Sequence, residues 1–484
     1  MCALQDEPVP AIAPERFASV LSAGEYEALL GLVDHAAREL HGRVIWNVNS
    51  TAKGGGVVEM LRPLLGYCRG AGVDARWSVI SGNPEFFAIT KRIHNRLHGF
   101  AGDGGPLGDA EHEMYEQTLA ASADELADVV HPRDIVILHD PQTAGLAAAV
   151  RRTGATVMWR CHVGLDVAND YARDAWDFLR GYVLDAHLFI FSRAGFAWDG
   201  LPRERISVIR PSIDAFAPKN AEQPREQSLA IMATAGVLAD DIDAYPTFTR
   251  SDGTPGRVVR RAEMLEEEPL VADVPVVMQV SRWDQLKDPV GVLGAFAGHV
   301  ASRTEAHLLL VGPSTAAVAD DPEGAQVLDE VRAAWHELPA MVRRRVHLCS
   351  LPMEDVEENA AIVNALQRHA GVVVQKSLAE GFGLTVAEAM WKQRPVVASR
   401  IGGVRDQIED GRSGVLLSDP RDLQQVGAAI TELIADGDRA RQIGIAAQRR
   451  VQQQFLGPHH LGRYFEVMQR VASLREHARQ DERG

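Results

Sequence analysis

The segment 376–392 (KSLAEGFGLTVAEAMWK) carries two carboxylates on either side of a glycine-containing turn. Gly381 and Gly383 permit a tight turn whose amides open onto the start of a helix, an arrangement that binds anions. Glu380 lies in the predicted loop, where its carboxylate can accept hydrogen bonds from sugar hydroxyls. Glu388 falls about two turns further along and can reach a ribose diol. The alternative interpretation is a solvated pair of acids beside a glycine helix cap.

A second motif, residues 281–289 (SRWDQLKDP), contains Arg282 and Lys287 directly after an apolar run. A planar guanidinium and a compact ammonium both suit a departing diphosphate. Such a pair can take the place of a metal ion in neutralising the leaving group. Taken alone, the same pattern also describes two surface cations on a loop.

Three consecutive glycines, Gly54, Gly55 and Gly56, follow the first predicted strand and precede a helix. They lack the Gly-Lys-Ser/Thr end of a P-loop and the GxGxxG spacing of a dinucleotide fold. Glycines at this point let the backbone approach a phosphate or a sugar closely. Tight packing of the strand against the helix is the alternative.

Polar clusters end two further predicted strands, one at 139–142 (HDPQ) and one at 159–162 (WRCH). A single histidine at a strand end is more often a hydrogen-bonded core group than a catalyst. Here His139, Asp140 and His162 are expected to face the same edge, which favours a functional role. The stretch 240–243 (DDID) lies outside any strand end, so we interpret it as solvated loop charge and predict no metal site.

Short apolar runs, each followed by a turn signal and a helix-like stretch, position these motifs. The runs cover residues 43–48, 75–80, 135–139, 156–161, 187–191, 206–209, 274–280, 307–311, 346–348, 371–375, 395–398 and 414–417. Continuous apolar strands alternating with helices indicate parallel sheets covered on both faces. The chain is therefore predicted to form two doubly wound α/β domains. Ligands bind at the carboxyl ends of such strands, so the expected active site is a deep cleft between the domains.

The domain boundary is predicted near 210–219, where two prolines interrupt regular structure. We assign residues 1–217 to the N-terminal domain and residues 218–455 to the C-terminal domain. An irregular insertion is expected at about 225–265. Residues 456–484 are expected to form a helix that packs back on the N-terminal domain.

Composition narrows the class of protein. The 484 residues carry a formal charge of −16, which argues against non-specific binding to nucleic acid or to an anionic membrane. Four scattered cysteines fit reduced thiols, and residues 1–13 have neither a basic leader nor an apolar signal core. These features predict a cytoplasmic protein with small-molecule substrates, and they allow a homodimer.

Taken together, the motifs resemble the retaining glycosyltransferases of the GT-B fold, with two Rossmann-like domains, in glycosyltransferase family 4, group 1. That large family includes sucrose synthases and glycogen-type synthases. The closer resemblance is to the trehalose glycosyltransferring synthases. It is carried by residues 50–61, 83–99, 139–146, 159–166, 211–214, 280–289 and 377–392.

The resemblance implies a role for each matching residue. Arg282 and Lys287 would hold the donor diphosphate, and Glu380 would contact the donor glucose hydroxyls. Further donor contacts would come from Gly55, Gly56, Gly381, Phe382, Gly383, Leu384 and Glu388, the last through the ribose hydroxyls. His162 would bond the donor sugar near its C6 hydroxyl. Asp140, Gln142 and Glu85 would bind the acceptor.

The implied reaction is reversible formation of α,α-trehalose from glucose and a nucleotide-diphosphate glucose, with ADP-, UDP- or GDP-glucose as donor. No cofactor is expected. Mg²⁺ is possible, but no residue of the site is expected to bind it. One alternative is a retaining trehalose phosphorylase, in which Glu388 would have no ribose to bind. The others are a family 4 glucosyltransferase with another small acceptor and a non-catalytic nucleotide-sugar sensor.

Overall fold

The computed structural model describes residues 3–52, 55–315 and 322–481. Lys53 and Gly54 of the glycine motif therefore lie outside the described residues. The chain forms two compact units. The first contains the residues up to Ser212 together with those from Phe455 onward, and the second contains Ile213–Gln454.

The first unit is built on a seven-stranded sheet with the order β1-β3-β2-β4-β5-β6-β7. Its strands are β1 (Leu4–Glu7), β2 (Val44–Asn49), β3 (Asp74–Ile80), β4 (Ile135–His139), β5 (Thr156–Cys161), β6 (Leu188–Phe191) and β7 (Ile206–Val208). All neighbouring strands are parallel except β1, which pairs antiparallel with β3. Val136 and Leu138 join one apolar cluster while Ile135 and Ile137 join another, so both faces of the sheet are buried.

Helices connect the strands of this sheet. They are α1 (Ala23–Glu39), α2 (Gly56–Gly70), α3 (Pro84–Leu97), α4 (Asp109–Val129), α5 (Asp140–Thr143), α6 (Ala147–Arg152) and α7 (Asp170–Val183). Local side chains explain where several begin. Asn83 and Asn169 each accept a backbone N–H of the following first turn, and Ser22 forms a capping box with Glu25.

The second unit has a seven-stranded sheet with the order β10-β13-β12-β11-β14-β15-β16 and a separate hairpin, β8-β9. Its strands are β8 (Thr247–Thr249), β9 (Pro255–Arg257), β10 (Glu263–Leu265), β11 (Val276–Val280), β12 (His307–Pro313), β13 (Val346–Leu351), β14 (Val372–Gln375), β15 (Val396–Ser399) and β16 (Val415–Leu417). Only β10 is antiparallel to its neighbour in the large sheet.

The helices of the second unit begin and end as follows. They are α8 (Arg225–Thr234), α9 (Pro289–Ala295), α10 (Pro322–His336), α11 (Ala340–Arg343), α12 (Val356–His369), α13 (Leu384–Trp391), α14 (Val404–Gln407), α15 (Leu423–Ala435) and α16 (Gly437–Gln454). A short 3₁₀ turn, Gln285–Lys287, lies between β11 and α9.

A last helix, α17 (Gly457–Asp481), returns to the first unit. Its buried apolar side chains join a cluster that includes Ile45, Ile137 and Met158 of the sheet. These helix residues are Tyr464, Phe465, Val467, Met468 and Val471. A segment that is distant in sequence therefore covers one face of the first sheet.

The prediction of two doubly wound α/β sheets is confirmed, and each of the twelve predicted runs overlaps a strand. The antiparallel edge strands β1 and β10 were not predicted, because short polar edge strands have no continuous apolar run. Where an irregular insertion was expected at 225–265, the structure has α8, the β8-β9 hairpin and β10. Arg250 ties the hairpin to the start of α12 through Asp355 and Glu357.

Candidate active site

In the second unit, the loops that follow β11 and β14 meet at the carboxyl ends of these neighbouring strands. Lys287 ends the 3₁₀ turn of the first loop, and Glu380 lies in the second loop. Their side chains are 93 residues apart in sequence, yet Lys287 Nζ lies 2.5 Å from Glu380 Oε2. Ser377 Oγ donates a longer bond of 3.4 Å to the same carboxylate oxygen. Two of the predicted site residues are thus brought into direct contact.

Backbone contacts hold the two loops against each other. The Leu378 N–H donates to the Leu286 carbonyl at 2.7 Å, and Gln279 Nε2 donates to the Lys287 carbonyl at the same distance. The indole of Trp283 is buried and donates to the Pro313 carbonyl at 2.9 Å. These bonds fix the backbone on both sides of Lys287.

A buried ion pair beside this contact was not predicted. Lys376 is fully buried directly after β14, and its ammonium pairs with Asp288, the residue that follows Lys287. Asp288 has a left-handed backbone conformation (φ 49°) and caps α9 by accepting the Gly291 N–H at 3.0 Å. The Asp-Pro pair at 288–289 is a helix-start signal, but no sequence signal shows that Lys376 is its partner.

The glycine turn of the second loop is closely packed. Gly383 has φ 82° and precedes α13, whose first residue is Leu384. The Gly403 N–H donates to the Gly381 carbonyl at 2.8 Å, and Gln407 Nε2 donates to the carbonyl of buried Phe382 at 2.5 Å. Hydrogen bonds from the segment that precedes and forms α14 therefore hold this turn in place.

The remaining donor-side residues lie apart from the Lys287–Glu380 contact. The Arg282 side chain is 61% exposed and pairs with Asp284 at 3.1 Å. Glu388 is buried on α13, and its carboxylate lies 3.6 Å from Lys219 Nζ. Lys392, one turn later, is also buried, and burial holds its pKa well below the usual value.

In the first unit, a chain of polar side chains crosses the carboxyl ends of β2, β4 and β5. Asn47 Oδ1 lies 3.0 Å from His139 Nε2, and His139 Nδ1 lies 3.1 Å from His162 Nε2. The two imidazole rings are nearly parallel, at 12°. Asn47 was not among the predicted site residues because nothing in its sequence context distinguishes it from a strand residue.

Burial keeps both histidines neutral. Burial, aided by the charge of Arg160, lowers the pKa of His139 to about 3, and the same causes hold the pKa of His162 well below its usual value. With Asn47 Oδ1 as the acceptor, His139 donates through Nε2, so its Nδ1 accepts the Nε2–H of His162. His162 is then left with an unprotonated Nδ1, a hydrogen-bond acceptor.

Asp140 has an unusual backbone conformation, with φ 63°. Its Oδ1 accepts the His162 N–H at 2.8 Å, and its carbonyl accepts the Trp159 indole N–H at 3.1 Å. Burial raises the pKa of this carboxyl to about 7, outweighing the opposite effects of the His162 bond and of Arg160. Asp140 therefore positions the backbone of His162 and titrates near neutral pH.

Arg160 is buried beneath this cluster and is held by α17. Its guanidinium contacts the Tyr464 hydroxyl and lies 3.1 Å from His460 Nε2. His460 Nδ1 in turn lies 2.8 Å from Ser212 Oγ. Sequence reasoning singled out the strand end at 159–162 but had no means of finding these partners, which lie 300 residues away.

The other predicted residues of the first unit occupy nearby elements. Gln142 is partly buried on α5, which starts at Asp140. Glu85 is exposed in the first turn of α3, a helix that packs against α5. Gly55 precedes α2 with φ 82°, and both it and Gly56 are exposed.

Among the described residues, no three His, Cys, Asp or Glu side chains form a group that could hold a metal ion. None of the helices described is both long enough and apolar enough to span a bilayer.

Comparison with known proteins agrees with this architecture. The family model described as "Trehalose synthase, N-terminal domain" matches residues 47–198, and "Glycosyl transferases group 1" matches residues 260–450. A trehalose synthase of Thermococcus litoralis is 32% identical over 89% of this chain and 92% of its own. The chain belongs to the trehalose synthase family. It is thus a glycosyltransferase.

More distant proteins share the scaffold. A trehalose phosphorylase of Pleurotus pulmonarius is 24% identical over 87% of this chain and 56% of its own. The crystal structure of an alpha,alpha-trehalose-phosphate synthase (UDP-forming) from Burkholderia xenovorans superposes with a TM-score of 0.65, at 15% identity, over 89% of this chain and 100% of that one. The fold is therefore GT-B, as the resemblance implied.

Proposed function

We propose that the protein is a retaining glucosyltransferase that forms α,α-trehalose reversibly from a nucleotide-diphosphate glucose and glucose. Membership of the trehalose synthase family supports this proposal. The observation that carries it is the contact between Lys287 and Glu380 at the carboxyl ends of β11 and β14. The contact supports the proposal because an ammonium group, which suits a phosphate, lies beside a carboxylate that can accept bonds from sugar hydroxyls.

The donor roles follow from this contact. The diphosphate binds Lys287 and the exposed guanidinium of Arg282, so that Lys287 exchanges its carboxylate partner for phosphate. Glu380 is then released to accept the glucose hydroxyls. Backbone groups of Gly381, Phe382, Gly383 and Leu384 lie at the start of α13, where the helix dipole favours a negative charge. Glu388 takes the ribose hydroxyls, while Gly55 and Gly56 approach the phosphates.

The first unit supplies the acceptor contacts. Asp140, Gln142 and Glu85 bind the acceptor glucose through its hydroxyls. His162 contacts the donor sugar at its C6 hydroxyl. Its unprotonated Nδ1 suits this role, because a neutral imidazole can accept a hydrogen bond from a hydroxyl without carrying a charge.

We assign a same-face substitution as the chemical step. The bond from glucose C1 to the diphosphate oxygen breaks, and the anomeric hydroxyl oxygen of the acceptor forms a bond to C1 on the same face. The proton of that hydroxyl passes to the departing phosphate oxygen. Lys287 and Arg282 stabilise the negative charge that develops on the diphosphate, which lowers the barrier without requiring a metal ion.

A donor panel tests the proposal. ADP-, UDP- and GDP-glucose are each incubated with glucose, and trehalose and nucleoside diphosphate are measured together. We expect equal amounts of trehalose and nucleoside diphosphate with at least one donor. Hydrolysis without trehalose formation, or no turnover of any donor, would contradict the proposed reaction.

Phosphorolysis is the second candidate, favoured by the similarity to a trehalose phosphorylase. The reverse assay separates the two reactions: trehalose is supplied with ADP or UDP in one arm and with inorganic phosphate in the other. Release of glucose and a nucleotide sugar supports the synthase. Release of glucose 1-phosphate in the phosphate arm alone would make the protein a phosphorylase.

A further inference from the structure

A cationic cavity lies in the second unit at the opposite, amino-terminal ends of β11 and β14. It has a volume of about 380 Å³, within the range of small-ligand sites. The first residue of β11, Val276, lines it, as do Arg225 and Ser228 from the first turn of α8. Arg368 and His369 contribute from the end of α12, and Arg394 from the segment before β15.

The ionisable groups that line the cavity are all basic. Three arginines and a histidine line it, and none of the described residues that line it carries a carboxylate. This is unexpected in a chain with a formal charge of −16. The nearby acids do not line the cavity. Asp273 is 99% exposed and lies 4.0 Å from Arg225. Glu222 interacts electrostatically with Arg368, and Asp240 does so with His369.

Burial and the neighbouring arginines disfavour the charged forms of two groups that line the cavity. Burial lowers the pKa of Arg394, and the charge of Arg368 lowers it further. Burial likewise lowers the pKa of His369, followed by the charges of Arg225 and Arg394. A bound anion would remove this repulsion.

Some of the N–H donors of Arg368 and Arg394 form hydrogen bonds within the protein. Arg368 donates from Nε to Asn364 and from Nη2 to the Ala221 carbonyl, and Arg394 donates from Nε and Nη1 to the carbonyls of Lys392 and Ala370. The Ala370 carbonyl lies at the end of α12, where cations are favoured.

Unused donors remain after those bonds are counted. Arg368 Nη1 and Arg394 Nη2 have no hydrogen-bond acceptor among the described residues, and neither does the Arg225 guanidinium. In addition, His369 Nε2 is buried without a partner in the described part of the chain. The unused guanidinium donors are therefore available to a ligand.

We propose that this cavity binds a phosphate group, either inorganic phosphate or the phosphate of a hexose monophosphate. Guanidinium groups match the geometry of phosphate oxygens, and Arg368 Nη1 and Arg394 Nη2 still have donors to offer. The cavity is larger than a phosphate ion, so a sugar attached to the phosphate has room beside the apolar lining.

This site is separate from the one proposed for the donor diphosphate. Val276 begins β11 and Val280 ends it, so the strand separates the cavity from the Arg282–Lys287 loop by about 13 Å. Binding here does not depend on the proposed reaction. Its test is therefore a measurement of binding.

The test compares phosphate binding by wild type with that by Arg225→Gln and Arg394→Gln, using titration calorimetry and thermal unfolding. Arg225 is 72% exposed, so its replacement leaves folding intact. Arg441→Gln is the matched control, because Arg441 is 73% exposed and also faces a single carboxylate. Sodium chloride at equal ionic strength controls for general screening.

We expect phosphate to raise the unfolding temperature of wild type and of Arg441→Gln more than chloride does. Both cavity variants should bind phosphate about tenfold or more weakly. Tighter binding of glucose 6-phosphate than of inorganic phosphate would identify a sugar phosphate as the occupant, and equal binding would identify phosphate itself. Turnover of Arg225→Gln without phosphate should equal that of wild type.

Two results would overturn the proposal. One is a response to phosphate that does not exceed the response to chloride. The other is phosphate binding that Lys287→Ala abolishes while Arg225→Gln and Arg394→Gln retain it, because the ion would then occupy the proposed donor site.

Discussion

Lys287 lies at the centre of the contacts that link the two loops of the second unit. Its ammonium binds Glu380, its carbonyl accepts a bond from Gln279, and the next residue binds Lys376. The side chain is only 18% exposed, so its position is well determined before any ligand arrives. A preorganised cation of this kind acts most strongly on charge that develops in the transition state.

Replacement of Lys287 by alanine should therefore affect turnover more than folding. We expect kcat for trehalose formation to fall about 100-fold or more, because the diphosphate loses a preorganised cation. The midpoint of thermal unfolding should change little, and Arg412→Ala, at a 78% exposed arginine, serves as the control. A Lys287→Ala enzyme with full turnover would refute the role assigned to this residue.

Asp140 combines a left-handed backbone with a carboxyl whose pKa is raised to about 7 from an ordinary 3.8. Between these values the folded state binds more protons than the unfolded state. The free energy of unfolding contributed by this group must then fall as pH rises from about 4 to 7, and it is constant above that range. This direction is opposite to that of an acid in an ion pair.

The variant Asp140→Asn should remove this dependence. Asparagine tolerates the left-handed conformation and its amide oxygen can still accept the His162 N–H, so folding is retained. Urea unfolding between pH 4 and 8 should show wild type losing stability relative to the variant as pH rises. Asp140→Ala, which loses the bond and keeps the strained backbone, should be less stable than Asp140→Asn by about 1–3 kcal/mol at all pH values. Parallel pH profiles for wild type and Asp140→Asn would contradict the raised pKa.

At the scale of the elements, the turn before α13 depends on two glycines from another loop. Gly402 has φ 42°, and a Cβ there would lie 1.8 Å from the Glu380 carbonyl oxygen. A Cβ at Gly403 would lie 2.7 Å from the Gly381 carbonyl oxygen. The loop between β15 and α14 thus packs directly against the backbone of the turn that carries Glu380.

Gly402→Ala is expected to displace this turn and reduce turnover. Gly411→Ala is the matched control, because Gly411 also has a positive φ, 74°, but no atom within 4 Å of the added Cβ. Both variants should lose about 1–2 kcal/mol from the left-handed alanine. Only Gly402→Ala should show a large fall in kcat, and equal turnover of the two variants would exclude a role for this contact.

The sequence predicted which elements carry the candidate residues but not how their side chains pair. The strand runs and the glycine turns indicated that the candidate residues lie at the carboxyl ends of β2, β4, β5, β11 and β14. Polar residues are found there. The pairing of Lys376 with Asp288 was not predicted, because two loops far apart in sequence meet only when β11 and β14 become neighbours.

At the scale of the whole molecule, the chain leaves the first unit after Ser212 and returns to it at Phe455. The returning helix α17 buries apolar side chains on the first sheet, and its His460 and Tyr464 contact the buried guanidinium of Arg160. The first unit therefore depends on residues that follow the second unit in the chain.

Truncation after Gln454 should unfold the first unit. The helix buries five apolar side chains that each contribute about 1.5–3 kcal/mol, and their loss is comparable with the total stability of a domain. We expect increased proteolysis within residues 1–212 and loss of one unfolding transition in calorimetry. A truncation after Arg475, which keeps those side chains, should unfold like the full chain. An intact first unit after truncation at Gln454 would contradict this account.

The sequence alone determined the two doubly wound sheets, all of their strands except the edge strands β1 and β10, and the family resemblance, because apolar runs and glycine turns are local signals. The tertiary structure decided which charges meet: Lys287 with Glu380, Lys376 with Asp288, and Arg160 with His460 and Tyr464. It also decided that His162 is neutral, since burial and not residue type lowers its pKa. The pairing of these charges and the lowered pKa of His162 both depend on strand order and packing, which bring together residues that are far apart in sequence.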